Sequence, residues 1–353
     1  MSTTPRILIV AAGNPDLSDA QQDTLRPLIP YTKDALTTMG YFPSYAPYAV
    51  APLGPGTSTN ALETKIANLL DPKPDMILTI ASAATKAAKR VVKNNDSAQG
   101  IPIVFTVVSL PEVESANPNN AAPDPADPIC PPPPRAERIT GVSRKLVGTA
   151  RGAVERFAAC LNNNCNIHWC CRPKLHQAME AERLIEAPPP LQGVKWSPHY
   201  MQATDCAPFL HTITDPGQIP PNVPLPMGGT LTGLFLIPDD LIGSCAHDII
   251  STAQSPSRRI PVFVQQLEYV CPEFNHGNQA GPFAMGGYGV SPKWIGDNAA
   301  ILIDEILQNG PDHPKNVPVK FPDRTDLLFR INPAVVKQLD IGITVPSGVQ
   351  VCS

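Results

Sequence analysis

The residues best placed to do chemistry are short polar groups that close apolar runs. Asp75-Met76-Ile77-Leu78-Thr79-Ile80 passes directly into Ala81-Ser82-Ala83-Ala84-Thr85, and the alanines and lysines beyond read as a helix. A helix start carries unbonded amides and the positive end of the helix dipole, which suits a carboxylate. Small side chains let a ligand approach that backbone. Ser82 and Thr85 are the expected hydroxyl donors, with Ala83 between them. The alternative, equally weighted, is that Ser82 only caps the helix and the alanines only pack. Asp239 and Asp240 follow the apolar run 232–237 and suit an ammonium group, or else cap a turn and helix. Gln265 and Gln266 follow the run 259–264 and offer amide hydrogen bonds, with one of them turned to solvent by strand alternation. Asn14 and Asp16 lie just beyond the run 6–12, and Thr106 and Ser109 close the run 101–108. Tyr288, among glycines, is a candidate wall of a site and equally a core residue.

Catalytic constellations are not among these residues. The chain has no Gly-x-Ser-x-Gly elbow, Walker loop, Gly-x-Gly-x-x-Gly or His-Glu-x-x-His, so no enzyme activity and no cofactor are expected. Gly286-Gly287-Tyr288-Gly289 comes too late in the chain to be a nucleotide loop between a first strand and its helix. Cys160, Cys165, His168, Cys170, Cys171 and His176 fall close together, and thiolate with imidazole is zinc chemistry. Adjacent Cys170 and Cys171 on a strand would face opposite sides, and paired Cys-x-x-Cys knuckles are missing, so no metal centre is expected. The nine cysteines are expected to be free thiols, and a Cys160–Cys165 disulfide is expected only in an oxidising compartment.

The elements that must position these groups alternate. Apolar runs at 6–12, 75–80 and 101–108 read as buried parallel strands, and 21–39, 61–70 and 81–89 as helices. Pro27 and Pro30 confine the first regular helix mostly to Tyr31 onwards. A second set follows, with strands at 167–171, 232–237 and 259–264 and helices at 148–161 and 297–307. The expected fold is α/β, with two doubly wound parallel-sheet lobes. Ile101-Pro102-Ile103-Val104-Phe105 and Ile260-Pro261-Val262-Phe263-Val264 each follow a polar loop after a helix, as if one unit were used twice. Proline is abundant, 43 of 353 residues against roughly 5% in an average chain, and it must sit mostly in loops. Two Pro-rich insertions are expected, 111–138 as an extended surface segment and 188–229 with weak strand signals.

The totals bound the rest. A chain of 353 residues with 42% hydrophobic and 16% charged residues is long enough for two globular lobes. A net charge of −4 argues against nucleic acid. No stretch of about 20 apolar residues is present to insert in a membrane. Met1–Val10 shows no export signal.

Several stretches together resemble one family. They are Pro74-Asp75-Met76-Ile77-Leu78-Thr79-Ile80 with the small-residue helix start after it, Ile101-Pro102-Ile103-Val104-Phe105-Thr106, and Ile139-Thr140-Gly141-Val142-Ser143. Arg259-Ile260-Pro261-Val262-Phe263 then precedes Leu267-Glu268-Tyr269-Val270, and Gly287-Tyr288-Gly289 leads into a helix. The most specific stretch is the C-terminal one, from Leu328-Phe329-Arg330-Ile331-Asn332-Pro333 through Gly342-Ile343-Thr344-Val345-Pro346. In order and spacing these resemble the substrate-binding proteins of a bacterial ABC-transporter group that bind aromatic or other apolar amino acids.

The resemblance implies a type I periplasmic-binding fold with three crossovers. One lobe would take 1–140 and 290–317, the other 141–289 and 318–353, with the ligand between them and hinge closure as the mechanism. It implies a small-molecule ligand, an amino acid or related amphiphile, an ABC permease as partner, and a periplasmic location. Where the family shows an Asn-Pro turn this chain reads Cys171-Arg172-Pro173-Lys174, and Arg172 is counted among the ligand-facing candidates. The missing export signal makes the cytoplasm the alternative location. The alternative function is a cytosolic sensor or interaction module of the same fold, or a degenerate copy that binds nothing.

Overall fold

The computed structural model describes residues 5–12, 27–41, 44–51, 59–108, 111, 128–144, 149–171, 183, 191–200, 206–222, 229–238, 245–275 and 281–353. The chain forms two compact units. Unit 1 is Met1–Lys145 with Pro292–Pro322, and unit 2 is Leu146–Ser291 with Asp323–Ser353. The chain therefore changes unit three times, at 145/146, 291/292 and 322/323.

Unit 1 is built on five strands: β1 (Arg6–Ala12), β2 (Ser44–Ala51), β3 (Met76–Ile80), β4 (Ile103–Thr106) and β5 (Ile139–Val142). Their order is β2-β1-β3-β4-β5, and every pair is parallel. Parallel strands are covered on both faces, so they read as continuous apolar runs. Every residue of β3 and β4 is buried. β2 is the strand the sequence hid, because Pro47 interrupts its apolar pattern. It survives at the sheet edge, where a missing amide donor is tolerated. The register slips beside that proline, with Leu8 opposite Ala46 but Val10 opposite Ala49.

Three helices follow these strands: α1 (Leu28–Thr38), α2 (Thr59–Asn68) and α3 (Ala81–Asn94). α1 begins ahead of Tyr31, because Pro30 falls in its first turn, where an amide has no partner inside the helix. Leu62 and Ile66 of α2 and Ala84, Ala87 and Ala88 of α3 pack with Leu8, Val10, Ile77 and Phe105 of the sheet.

Unit 2 opens with α4 (Thr149–Cys160) and β6 (Cys165–Cys171). Then come β7 (Val194–Tyr200), α5 (Ala207–Thr214), β8 (Leu231–Leu236), α6 (Ala246–Ala253), β9 (Val262–Val264) and β10 (Gly286–Val290). β7 answers the weak strand signals of 188–229, and β7 and α5 together make that stretch part of unit 2 and not an insertion. Their prolines are placed where they do least harm, Pro198 in the edge strand β7 and Pro208 at the start of α5. β10 turns the glycine-rich stretch into a strand. A side chain at Gly289 would put its Cβ 2.1 Å from the Gln265 carbonyl oxygen, so only glycine lets the chains approach.

α7 (Pro292–Asn309) returns to unit 1 and packs on α1, β4 and β5. Gly296 permits that approach, since a Cβ there would lie 2.8 Å from the Thr32 amide nitrogen. The chain finishes unit 2 with β11 (Leu327–Ile331), α8 (Pro333–Leu339) and β12 (Gln350–Val351). Asn332 caps α8 by accepting from the Ala334 and Val335 amides, and it donates to the Val270 carbonyl at 2.8 Å.

The seven-stranded order is β12-β11-β10-β9-β8-β6-β7. Its strands β7-β6-β8-β9-β10 are all parallel and repeat the order of unit 1. β11 then adds antiparallel to β10. One face of this sheet packs on α4 through Ile167, Trp169, Phe235 and Phe263. The other packs on α5 and α6 through Leu234, Leu236, Val262 and Val264. Both sheets are doubly wound, as expected.

Four cysteines are paired, which corrects the expectation of free thiols. Cys206–Cys245 joins the residues before α5 and α6, and Cys271–Cys352 ties the segment after β9 to the end of β12. Their Cα separations, 6.3 and 5.2 Å, lie within the reach of a disulfide. Among the described residues no helix is long and apolar enough to cross a membrane.

Candidate functional site

In an open parallel sheet the carboxyl ends of the strands are where a ligand can meet backbone amides. In unit 1, β3 enters α3 with no intervening loop. Ile80 occupies the N-cap position and makes no side-chain cap bond, and no acidic residue stands in the first turn. Ala81 makes the bend with φ +70°. Beyond the end of β4, Val107 does the same with φ +64°. Left-handed backbone at a residue with a Cβ costs about 1–3 kcal/mol and persists only where the surrounding structure imposes it. Two such residues thus follow neighbouring strands. Ser82 and Ala83 are half-buried there, while Ala84 and Thr85 are fully buried.

Thr85 corrects the expectation that its hydroxyl faces a ligand. It donates to the Ala81 carbonyl at 2.9 Å and meets the Thr79 hydroxyl at 2.8 Å. Its position one turn beyond Ala81 puts it on the sheet-facing side of α3. Thr106 is likewise buried, and its hydroxyl donates to the Thr79 carbonyl at 3.1 Å. The three threonines pin the ends of β3 and β4 to the first turn of α3. They hold the junction in place from beneath.

In unit 2, Gln265 just past β9 is 4% exposed, and its amide donates to the Thr149 hydroxyl at the start of α4 at 3.0 Å. That bond turns it inward, so the solvent-side member of the pair is Gln266, which is half-buried. Tyr288 in β10 lies under the Arg156 guanidinium, 3.9 Å from the ring centroid. The ring also lies against Gly152, where a Cβ would stand 3.2 Å from it. Tyr288 is therefore bound to α4 by a cation–π contact. Asn14, Asp16, Ser109, Arg172, Asp239 and Asp240 lie outside the described residues.

The cysteine-histidine group does not assemble as one cluster. Cys160 and Cys165 are free and fully buried in the apolar core under α4, where burial pushes both thiols up to about 12. A buried protonated thiol is neither nucleophile nor metal ligand. His176 lies outside the described residues. His168 instead meets His199 of β7, a residue missed because its stretch was read as an insertion. The alternation of Val194 and Trp196 with Lys195, Ser197 and His199 was the available strand signal. Cys271, Glu273 and Cys352 bring three donor atoms within 4.8 Å of one another, but their two sulfurs are bonded as a disulfide.

No protein-family model matches the chain, and no curated protein does. Solved structures do match. A conserved domain protein from Vibrio cholerae O1 biovar El Tor aligns with TM-score 0.67 at 18% identity, over 99% of this chain and all of its own. An ABC domain in complex with L-Trp from Streptococcus pneumoniae aligns with TM-score 0.62 at 16% identity, over 97% of each chain. An ABC transporter solute-binding protein from Agrobacterium vitis with bound allitol aligns with TM-score 0.52 at 14% identity, over 94% of this chain and 97% of its own. At such identities the likeness is one of fold, and it extends over nearly the whole chain.

Proposed function

We propose that this chain is a solute-binding protein of an ABC-type uptake system, that its ligand is an amino acid or related amphiphile, and that it performs no chemistry on it. The observation that carries this reading is the β3–α3 junction, where Ile80 is the N-cap residue, small residues follow and the chain enters left-handed at the carboxyl end of the sheet. Such a terminus favours an anion and suits a carboxylate. The ligand's carboxylate is assigned to the Ser82 and Ala83 amides and the Ser82 hydroxyl. The fold shared with solute-binding chains supports the role, although their bound molecules include both L-Trp and allitol. A permease partner follows from the role. The two disulfides support an exported protein, because such bonds persist in oxidising compartments.

Calorimetric titration with amino acids, small carboxylates and polyols tests the reading. Ser82→Asp keeps the helix start intact, since an acidic residue there complements the dipole, but it sets a negative charge where the carboxylate should lie. Affinity should fall by about tenfold or more, the size of one charge-assisted hydrogen bond. Thr85→Val should lower stability and leave affinity unchanged. Unchanged affinity in Ser82→Asp refutes the placement. Saturable binding of polyols alone refutes the ligand class, and no binding across the panel refutes the role.

A further inference from the structure

We propose a transition-metal site on the β6–β7 pair of unit 2, taking a zinc-class divalent cation with His168 Nδ1 and His199 Nε2 as imidazole ligands. His168 lies in the middle of β6 and is 3% exposed, and His199 lies near the carboxyl end of the edge strand β7 and is half-buried. The facing ring nitrogens are 2.8 Å apart. The ring centroids are 5.1 Å apart with 22° between the planes, so the nitrogens meet nearly in the ring planes. Behind His168, Asn166 Nδ2 lies 2.9 Å from Nε2, and Asn166 Oδ1 accepts from the Ser197 hydroxyl at 2.9 Å. Trp169 and Trp196 stack at 5.2 Å on the other face and join the apolar core there.

Two imidazoles that meet nitrogen to nitrogen, with a second polar layer behind His168, are the donor type a borderline cation takes. At zinc–nitrogen distances of about 2.0–2.1 Å, two tetrahedral ligands stand about 3.3 Å apart, so the pair must open by roughly half an ångström and the His199 ring must turn, because the two nitrogens face each other head-on. Exposure of His199 at the edge strand gives the cation a way in.

The proton balance closes within the network. The single proton between the facing nitrogens moves to the outer nitrogen of its own ring. On His168 that nitrogen is Nε2, where Asn166 can accept after its amide turns, with the Ser197 hydroxyl reversing to match. Coordination by the two rings therefore releases no net proton. This site is independent of the solute reading, because it uses neither the β3–α3 junction nor any residue of unit 1.

The test uses the full chain without a histidine tag, stripped by chelator and titrated with Zn(II) by calorimetry. Ring-nitrogen NMR is recorded in parallel. One equivalent should bind in the micromolar range, and His168 Nδ1 and His199 Nε2 should shift with zinc. His199→Ala, at a half-exposed position, should melt cooperatively and bind about tenfold or more weakly. His211→Ala, on the exposed face of α5, should bind as the parent does. A network that only fixes strand register would change the melting temperature in His199→Ala without changing zinc affinity, and that result overturns the proposal. So does the lack of saturable zinc binding, or of any shift at the two ring nitrogens.

Discussion

Thr85 and Gln265 show how a polar residue at a strand end is decided by where its bond goes. Both carry groups that could meet a ligand, and both use them inward, on Ala81 and Thr79 in one case and on Thr149 in the other. A buried hydroxyl or amide left without a partner costs about 1–3 kcal/mol, which is why these bonds are made inside the fold. His168 carries a pH prediction. Its pKa falls from 6.5 to about 4, first through burial and then through His199. Between those values the unfolded chain binds the proton that the folded chain refuses, so stability falls as the pH drops from about 6.5 to about 4. The full loss is on the order of 3 kcal/mol. Urea midpoints in metal-free buffer across that range should show the slope, and His168→Gln should flatten it. An equal slope in that variant would assign the effect to other groups.

At the scale of elements, edge strands and close approaches are where composition misleads. β2 and β7 contain prolines and are tolerated because each lies at the edge of its sheet. β10 is rich in glycine because its neighbours come too near for side chains. A Cβ at Gly289 would stand 2.1 Å from the Gln265 carbonyl oxygen and 3.1 Å from its carbon, both backbone atoms that cannot swing aside. Gly289→Ala should therefore push β10 away from the end of β9 and destabilise unit 2 by about 3 kcal/mol or more. Gly310→Ala meets no neighbour within 4 Å and reports only the cost of its φ of +91°. Chemical denaturation of the two variants separates crowding from backbone conformation. If Gly289→Ala proves no worse than Gly310→Ala, crowding is not the reason for the glycine.

At the scale of the whole molecule, two units repeat one strand order and unit 2 adds β11 and β12 from the last part of the chain. The two disulfides lie in unit 2, with sequence separations of 39 and 81 residues. In the chain-entropy picture each loop of this size contributes about 4 kcal/mol by restricting the unfolded state. Reduction should therefore lower the melting temperature, with unit 2 losing protection first in hydrogen exchange. Unit 1 should keep its protection, because its core is assembled without these bonds. Equal loss of protection in both units would show that the disulfides support more than the unit that contains them.

The sequence by itself determined the class of fold, since strands buried on both faces must be continuous apolar runs. Residues 6–12, 75–80, 101–108 and 232–237 could be read that way without any partner in view. It also determined the twofold use of one α/β unit, the small-residue helix start after β3, and the closing strand and helix. Tertiary structure alone decided which residues meet across long separations. Cys206 found Cys245, Cys271 found Cys352, and His168 found His199 only once strand order and register were set. Burial is encoded locally, by the composition and period of a short segment. Pairing across dozens of residues depends on topology and on a register that a one-residue slip would reverse. That dependence is why Thr85 could be named from its neighbours in the chain, while the direction of its hydroxyl could not.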